Sequence, residues 1–176
     1  YLTLTGRNDW ASQLANSSST CFFYPSVGLS AIISEMVKLP SAIDYLKIRG
    51  SFSSVGMPYP RNLTSPTFEY DETTQTWKPK THYPIGDLKP ERTNSWELGL
   101  DMRLFKDFNL GVSWYLANTF NQTFDPKISV SSGYTTIYLQ TGYVRNQGVE
   151  LSLGYGHTWK KDFRWQTNFT LSHNKN

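Results

Sequence analysis

Two carboxylates, Glu97 and Asp101, stand four residues apart in this chain, with Arg103 just beyond them. A pair of acids is what a glycosidase needs, and its carboxyl groups must lie roughly 5 to 9.5 Å apart. On an extended strand, four residues cover about 13 Å at 3.3 Å per residue, too far for that chemistry. The histidines His82, His157 and His173 show no metal-ligand spacing. A lone cysteine, Cys21, supplies neither a disulfide framework nor a thiolate cluster. A Gly-x-Ser-x-Gly elbow, a phosphate-cradling glycine loop and His-Glu-x-x-His are all missing from the sequence. The expectation is a protein that is not an enzyme and holds no cofactor and no metal.

What remains is the chemistry of contact. Lys47, Arg49, Glu97, Asp101, Arg103, Glu150 and Arg164 are full charges placed at alternate positions of apolar segments. Tyr59, Tyr70, Trp77 and Tyr83 crowd a proline-rich stretch, where their rings could stack on a sugar, touch a partner or only pack the loop. The net charge of +3 comes from scattered Lys and Arg, so no basic track for nucleic acid exists.

The elements that position these residues are strands. Trp96, Leu98, Leu100, Met102 and Leu104 alternate with Glu97, Gly99, Asp101 and Arg103; Phe108, Leu110, Val112, Trp114 and Leu116 then alternate with Asn109, Gly111, Ser113 and Tyr115. Ala117 continues the second polar series. Period two is the signature of a strand with unlike faces. The same pattern runs through Tyr1–Thr5, Phe22–Ser34, Leu46–Ser53, Gly148–Tyr155 and Phe163–Leu171, giving about seven strands in 176 residues. The mean hydropathy of −0.48 and the lack of any apolar run near 18 residues exclude a membrane helix. They leave a β-barrel open, because only alternate residues of its strands meet lipid.

Connections between the strands alternate. Long polar stretches, Asn8 to Thr20, Gly56 to Glu91 and Asn121 to Gly142, take turns with compact joints at Val37 to Ala42, Lys106-Asp107 and Lys160-Lys161-Asp162. Prolines 58, 60, 66, 79, 84 and 90 interrupt any ladder, so the middle stretch reads as a loop. In an up-and-down antiparallel sheet, such alternation puts every long connection at one end, as in outer-membrane barrels. Phe105, Phe108, Trp159 and Phe163 flank the short joints, where an interfacial aromatic girdle belongs. Facing lipid, a Lys or Arg at the midplane costs about 2–4 kcal/mol, whereas facing a wet lumen it costs little. The predicted fold is therefore all-β, with antiparallel up-and-down strands forming part of a large transmembrane β-barrel. The glycines among the charges suit a surface that a plug approaches closely.

The wording of the strands, beyond their period, carries a resemblance. Arg7-Asn8-Asp9, Tyr24-Pro25-Ser26-Val27-Gly28-Leu29-Ser30, Leu46-Lys47-Ile48-Arg49-Gly50-Ser51-Phe52, Leu88-Lys89-Pro90-Glu91-Arg92-Thr93, Trp96-Glu97-Leu98-Gly99-Leu100-Asp101 and Val144-Arg145-Asn146-Gln147-Gly148-Val149-Glu150-Leu151 follow one another in order. They resemble the C-terminal barrel half of the SusC/RagA-like TonB-dependent transporters. The resemblance implies residues 1–176 as a fragment of one receptor barrel of about 22 strands, with plug, TonB-engaging segment and remaining strands outside it. It further implies TonB-driven import of oligosaccharides or peptides across the Gram-negative outer membrane, surrounded by lipid and lidded by a SusD-like surface lipoprotein resting on the long loops. The seven alternating charges would then face the lumen. Two other readings stay open at this point: a soluble carbohydrate-binding β-sandwich, whose apolar faces need a second sheet, and a passive porin.

Overall fold

The computed structural model describes residues 1–14, 17, 18, 20–57, 68–79, 82, 83, 87–159 and 163–176. Eleven strands occur among them: β1 (Leu2–Trp10), β2 (Cys21–Ile32), β3 (Ile43–Met57), β4 (Phe68–Asp71), β5 (Thr76–Pro79), β6 (His82–Tyr83), β7 (Glu91–Leu104), β8 (Phe108–Phe124), β9 (Thr136–Ile137), β10 (Leu139–Trp159) and β11 (Phe163–Lys175). Seven of them form one sheet in the order β1-β2-β3-β7-β8-β10-β11, every neighbouring pair antiparallel. This is the up-and-down meander that the alternation of long and short connections requires.

The register shows why the alternation in each strand becomes a property of the whole sheet. Residues opposite one another on paired strands share a face. One row runs Leu29, Gly50, Leu98, Trp114, Val149, His173; its neighbour runs Ala31, Ile48, Leu100, Val112, Leu151, Leu171. Between them, on the other face, lies the row Ser30, Arg49, Gly99, Ser113, Glu150, Ser172. A slip of one residue in any strand would put its charges among the leucines, so the pattern specifies the register strongly.

The apolar face is uncovered. Leu98 is 57% exposed and Leu171 57%, and Leu29, Trp96, Leu153 and Phe169 are likewise exposed on that side. No second sheet stacks on it among the described residues, since the remaining sheets are the two-stranded pairs β4-β5 and β6-β9. The described hydrophobic core is instead a small cluster in the connections, where Leu14 and Leu88 are buried against Ala11 and Phe22.

Several expectations change in detail. Residues Ile33–Met36 form one helical turn, α1, so the joint between β2 and β3 begins earlier than Val37. The three long connections are shorter than composition suggests, because β1 runs on to Trp10, β3 to Met57, β8 to Phe124 and β10 starts at Leu139. Asn, Gln and Thr look like loop residues, yet they continue the ladders past the apolar band. Nor is the longest connection structureless: β4 and β5 make a hairpin inside it, while β6 pairs with β9 in parallel. Pro79 ends β5 without harm, since a strand end tolerates the missing donor.

Several glycines on the polar face make room for this chain's own side chains. A Cβ on Gly99 would lie 2.2 Å from Arg49 Nε, one on Gly111 2.4 Å from Ser152 Oγ, and one on Gly148 2.5 Å from the Tyr115 ring. Tighter still is Gly56, near the end of β3, where the buried Tyr24 ring and hydroxyl come within 2.1 Å of the missing Cβ. Gly28 is open by comparison, with its nearest neighbour at 3.8 Å. Gly56→Ala is therefore expected to cost about 1–3 kcal/mol by overpacking, read as a lower chemical-denaturation midpoint, whereas Gly28→Ala leaves the midpoint within experimental scatter. Equal midpoints for the two variants would show that Tyr24 does not occupy the Gly56 notch.

Candidate functional site

The register gathers all seven alternating charges onto one face. Lys47 is opposite Asp101, Arg49 opposite Gly99, and Glu97 opposite Ser51, so three neighbouring rows of β3 and β7 each carry charge. Arg49 is the hub of this middle cluster. Its guanidinium crosses Gly99, donates from Nη2 to Ser113 Oγ at 2.7 Å and lies 3.6 Å from Glu97 Oε1. The long side chain reaches β8 because Gly99 leaves the path open. Both partners of the Arg49–Glu97 pair are about half exposed, so the pair orients the arginine more than it stabilises the fold. Glu150 joins through the groove it lines with Arg49, Asp101 and Ser113, a concavity of about 230 Å³.

Arg103 and Arg164 stand apart from that cluster. They line a second groove toward the short joints, with Lys106, Asn109, Gln166 and Asn168. Arg103 donates from Nε to Asn109 Oδ1 at 3.2 Å. In the same region His157 Nδ1 and Asp107 Oδ2 are 2.8 Å apart, which ties the β7–β8 joint to β10. Aromatic rings gather near these joints: Phe108 packs on Tyr155 with ring centroids 4.8 Å apart, and Trp159 on Phe163 at 5.8 Å.

At the opposite end the long connections are stitched into one body. The backbone N–H of Ser18 donates to Asp87 Oδ1 at 2.9 Å, and that of Leu88 to Ser17 Oγ at 3.2 Å. The Ser18 N–H in turn holds the Asp87 carboxyl below its ordinary value. Lys89 N–H donates to Gln140 Oε1 at 2.9 Å, and Asn121 Nδ2 to the Pro90 carbonyl at 3.3 Å. Thus hydrogen bonds join the first long connection to the second, beside the buried Leu14 and Leu88, and tie the second to the ends of β8 and β10.

The loop aromatics divide by surroundings. Tyr83 meets Tyr134 edge-on at 5.2 Å, and its neighbour His82 stacks on Tyr138 at 5.0 Å, so both rings pack connection to connection. Burial raises the Tyr138 hydroxyl above its ordinary value, with Asp125 adding to the shift. Tyr70 and Trp77 are cross-strand partners on the β4–β5 hairpin, with centroids 5.3 Å apart, yet Trp77 keeps 68% of its surface exposed. The turn of that hairpin is clamped by Asp71. Lys78 donates to its carboxylate, and the N–H groups of Thr73 and Thr74 add to the effect, holding the acid down to about 2. Tyr59 lies outside the described residues.

Sequence reasoning assigned no role to Tyr24 and Arg92. Arg7 pairs with Asp9 at 2.9 Å and sits over the Tyr24 ring at 5.7 Å. Arg92 Nε donates to Ser54 Oγ at 2.7 Å, and Ser54 donates to Asn94 Oδ1 at 2.8 Å. A glycine at the end of a strand, such as Gly56, gives no hint that a ring from another strand fills its place. No cluster of three or more metal-ligating side chains occurs among the described residues.

Comparison with known proteins gives this geometry its context. Residues 1–176 match a family model described as TonB dependent receptor-like, beta-barrel. TonB-dependent receptor P39 of Formosa agariphila is 29% identical over 161 residues, covering 87% of this chain and 15% of that protein. Structures of the RagAB peptide importer in its open-open and closed-closed states superpose with TM-scores of 0.79 at 22% identity. Each covers 99% of this chain and 20% of the matched chain, so the segment spans about a fifth or less of these relatives. The single sheet with an uncovered apolar face is thereby a piece of barrel wall and not half of a sandwich, and the SusC/RagA-like wording of its strands agrees with the RagAB fold. The chain belongs to the TonB-dependent receptor β-barrel family, as one part of a large transmembrane β-barrel.

Proposed function

We propose that this segment is lumen wall and outer-surface loop of an active outer-membrane importer. In this reading lipid lies against Leu98, Leu100, Leu151 and the rest of the apolar rows. Lys47, Arg49, Glu97, Asp101, Arg103, Glu150 and Arg164 face the lumen, and the stitched long connections lie outside the cell. The parent protein takes up oligosaccharides or peptides, energised through TonB, under a SusD-like surface lipoprotein.

One observation carries the reading: every full charge singled out in the strands falls on one face, while the other presents large apolar side chains with nothing packed on them. Water would leave that apolar area a standing aggregation hazard. Hydrocarbon removes the hazard and explains why the polar face stays wet. The membership of a TonB-dependent receptor family supports energised uptake over passive flow. The exposed Trp77 and Tyr70 of the β4–β5 hairpin are the rings most available to a sugar or a lid, since Tyr83 is engaged by Tyr134.

The full-length parent should partition into outer membranes and need detergent for extraction; recovery as a freely soluble monomer refutes the membrane assignment. Within it, Leu100→Arg near the middle of the apolar band is expected to lose about 2–4 kcal/mol of stability in bilayers. Thr170→Arg, on the polar face, should unfold at nearly the wild-type denaturant concentration. Removing the TonB-engaging segment of the parent should abolish uptake, and undiminished uptake would mark a passive porin instead.

A further inference from the structure

Near the short joints the apolar face is not flat. A groove of about 490 Å³ opens there, lined by Leu104, Phe105, Phe108, Leu110, Leu153 and Phe169. Register sets its place: Leu110, Leu153 and Phe169 are opposite one another on β8, β10 and β11, and Leu104, Phe108 and Tyr155 form the next row of the same face. Its polar atoms are already engaged. The Thr167 hydroxyl accepts from Trp165 Nε1 at 2.6 Å, and Asn109 Oδ1 accepts from Arg103.

Phe105 lines this groove against its own backbone preference. Its φ is 50° and that of Lys106 is 63°, left-handed conformations that strain a residue with a side chain and that a glycine adopts freely. The strain persists because the joint is held from both sides. Phe105 N–H donates to the Ala42 carbonyl at 3.0 Å and Lys106 N–H to Asp44 Oδ2 at 2.5 Å. On the other side Gly156 N–H donates to the Asp107 carbonyl at 2.9 Å, and His157 Nδ1 lies 2.8 Å from Asp107 Oδ2. All of these contacts are made within the sheet and its joints, so the ring is fixed by this chain itself.

We propose that the groove is a fixed site for one acyl chain of a phospholipid. The inference rests on the lipid-facing reading of the apolar rows and adds a discrete lipid site to it. A plug fills the lumen of such a barrel and further strands extend the wall sideways, so neither covers the outward face of β8 and β10, where the groove has its centre. The groove interrupts the band that meets hydrocarbon. Beyond it, toward the short joints, stand Trp165 and Trp159, and tryptophan favours the headgroup level. Short turns of these barrels lie on the periplasmic side, so the chain comes from a lipid of that leaflet. A second copy fits poorly: a twofold axis would set groove against groove and enclose a void that packed interfaces do not carry. A flexible chain fills the space, and walls already fixed in place lower what is lost in ordering it.

The test uses the full-length parent extracted in mild detergent, with dioleoylphosphatidylethanolamine as the probe and native mass spectrometry as the readout. Wild type should retain one lipid per protomer after the loosely held background is stripped. Phe105→Gly, which opens the groove and relieves the backbone, should weaken that retention roughly tenfold, and Leu153→Trp, which fills the groove, should abolish it. Leu98→Ala, elsewhere in the apolar band, should retain the lipid as wild type does. A heat-resistant barrel band on a gel establishes that each variant is folded. A wild type that holds no such lipid, or equal retention in wild type, Phe105→Gly and Leu153→Trp, overturns the site. So does a lipid-free wild-type dimer that Leu153→Trp splits, since a second copy is then the occupant. Partition of the same parent into outer membranes separates failure of this site from failure of the membrane assignment.

Discussion

Alternation at period two, locked by register across seven strands, is the constraint from which the other features of this chain follow. A strand with Leu98, Leu100 and Met102 on one side and Glu97, Asp101 and Arg103 on the other must place two kinds of surroundings about 10 Å apart. No single solvent satisfies both faces. In a soluble fold the apolar side closes on a second sheet, but here Leu98 and Leu171 remain more than half exposed and no such sheet is present among the described residues. A bilayer outside and water within satisfy both faces at once, at the cost of requiring a closed barrel so that no strand edge meets lipid.

Within that constraint, the polar face is organised by small residues as much as by charged ones. Gly99 lets Arg49 cross from β3 over β7 to Ser113 on β8, and Gly148 lets Tyr115 lie flat. Each glycine gives up its own packing so that a neighbour's long side chain can bridge strands. Such cross-strand bridges help hold the wall in shape. Among the described residues, buried apolar packing centres on Leu14 and Leu88, with Ala11 and Phe22 against them. Together with the Ser18–Asp87 hydrogen bond, that packing joins the first long connection to the second, while the β6–β9 pairing and the Tyr83–Tyr134 contact join the second to the third. The β4–β5 hairpin keeps its Trp77 exposed.

The sheet and its two faces were legible in the sequence because strand periodicity is local: each residue's side follows from its neighbours alone. The seven candidate charges fell on one face for the same reason. Strand ends were not legible, since Asn118, Thr119, Gln122 and Thr123 of β8 are polar residues that continue a ladder above the apolar band, and composition takes polarity for loop. The hairpin Phe68–Asp71 with Thr76–Pro79 was not legible either, since four-residue strands are too short for period two to stand out among prolines.

By itself, then, the sequence determined the class of fold, the order of long and short connections and the family wording, all of which depend on spacing along the chain. Only the tertiary structure decided which charges neutralise one another and which share a groove. Arg49 meets Glu97 because register and Gly99 bring them together, whereas Arg103 and Arg164 share a groove although 61 positions separate them in the chain (164 − 103). Tyr24 in the notch of Gly56 is the same lesson in packing. Contacts across a sheet depend on where distant strands are set beside each other, and no local pattern carries that information.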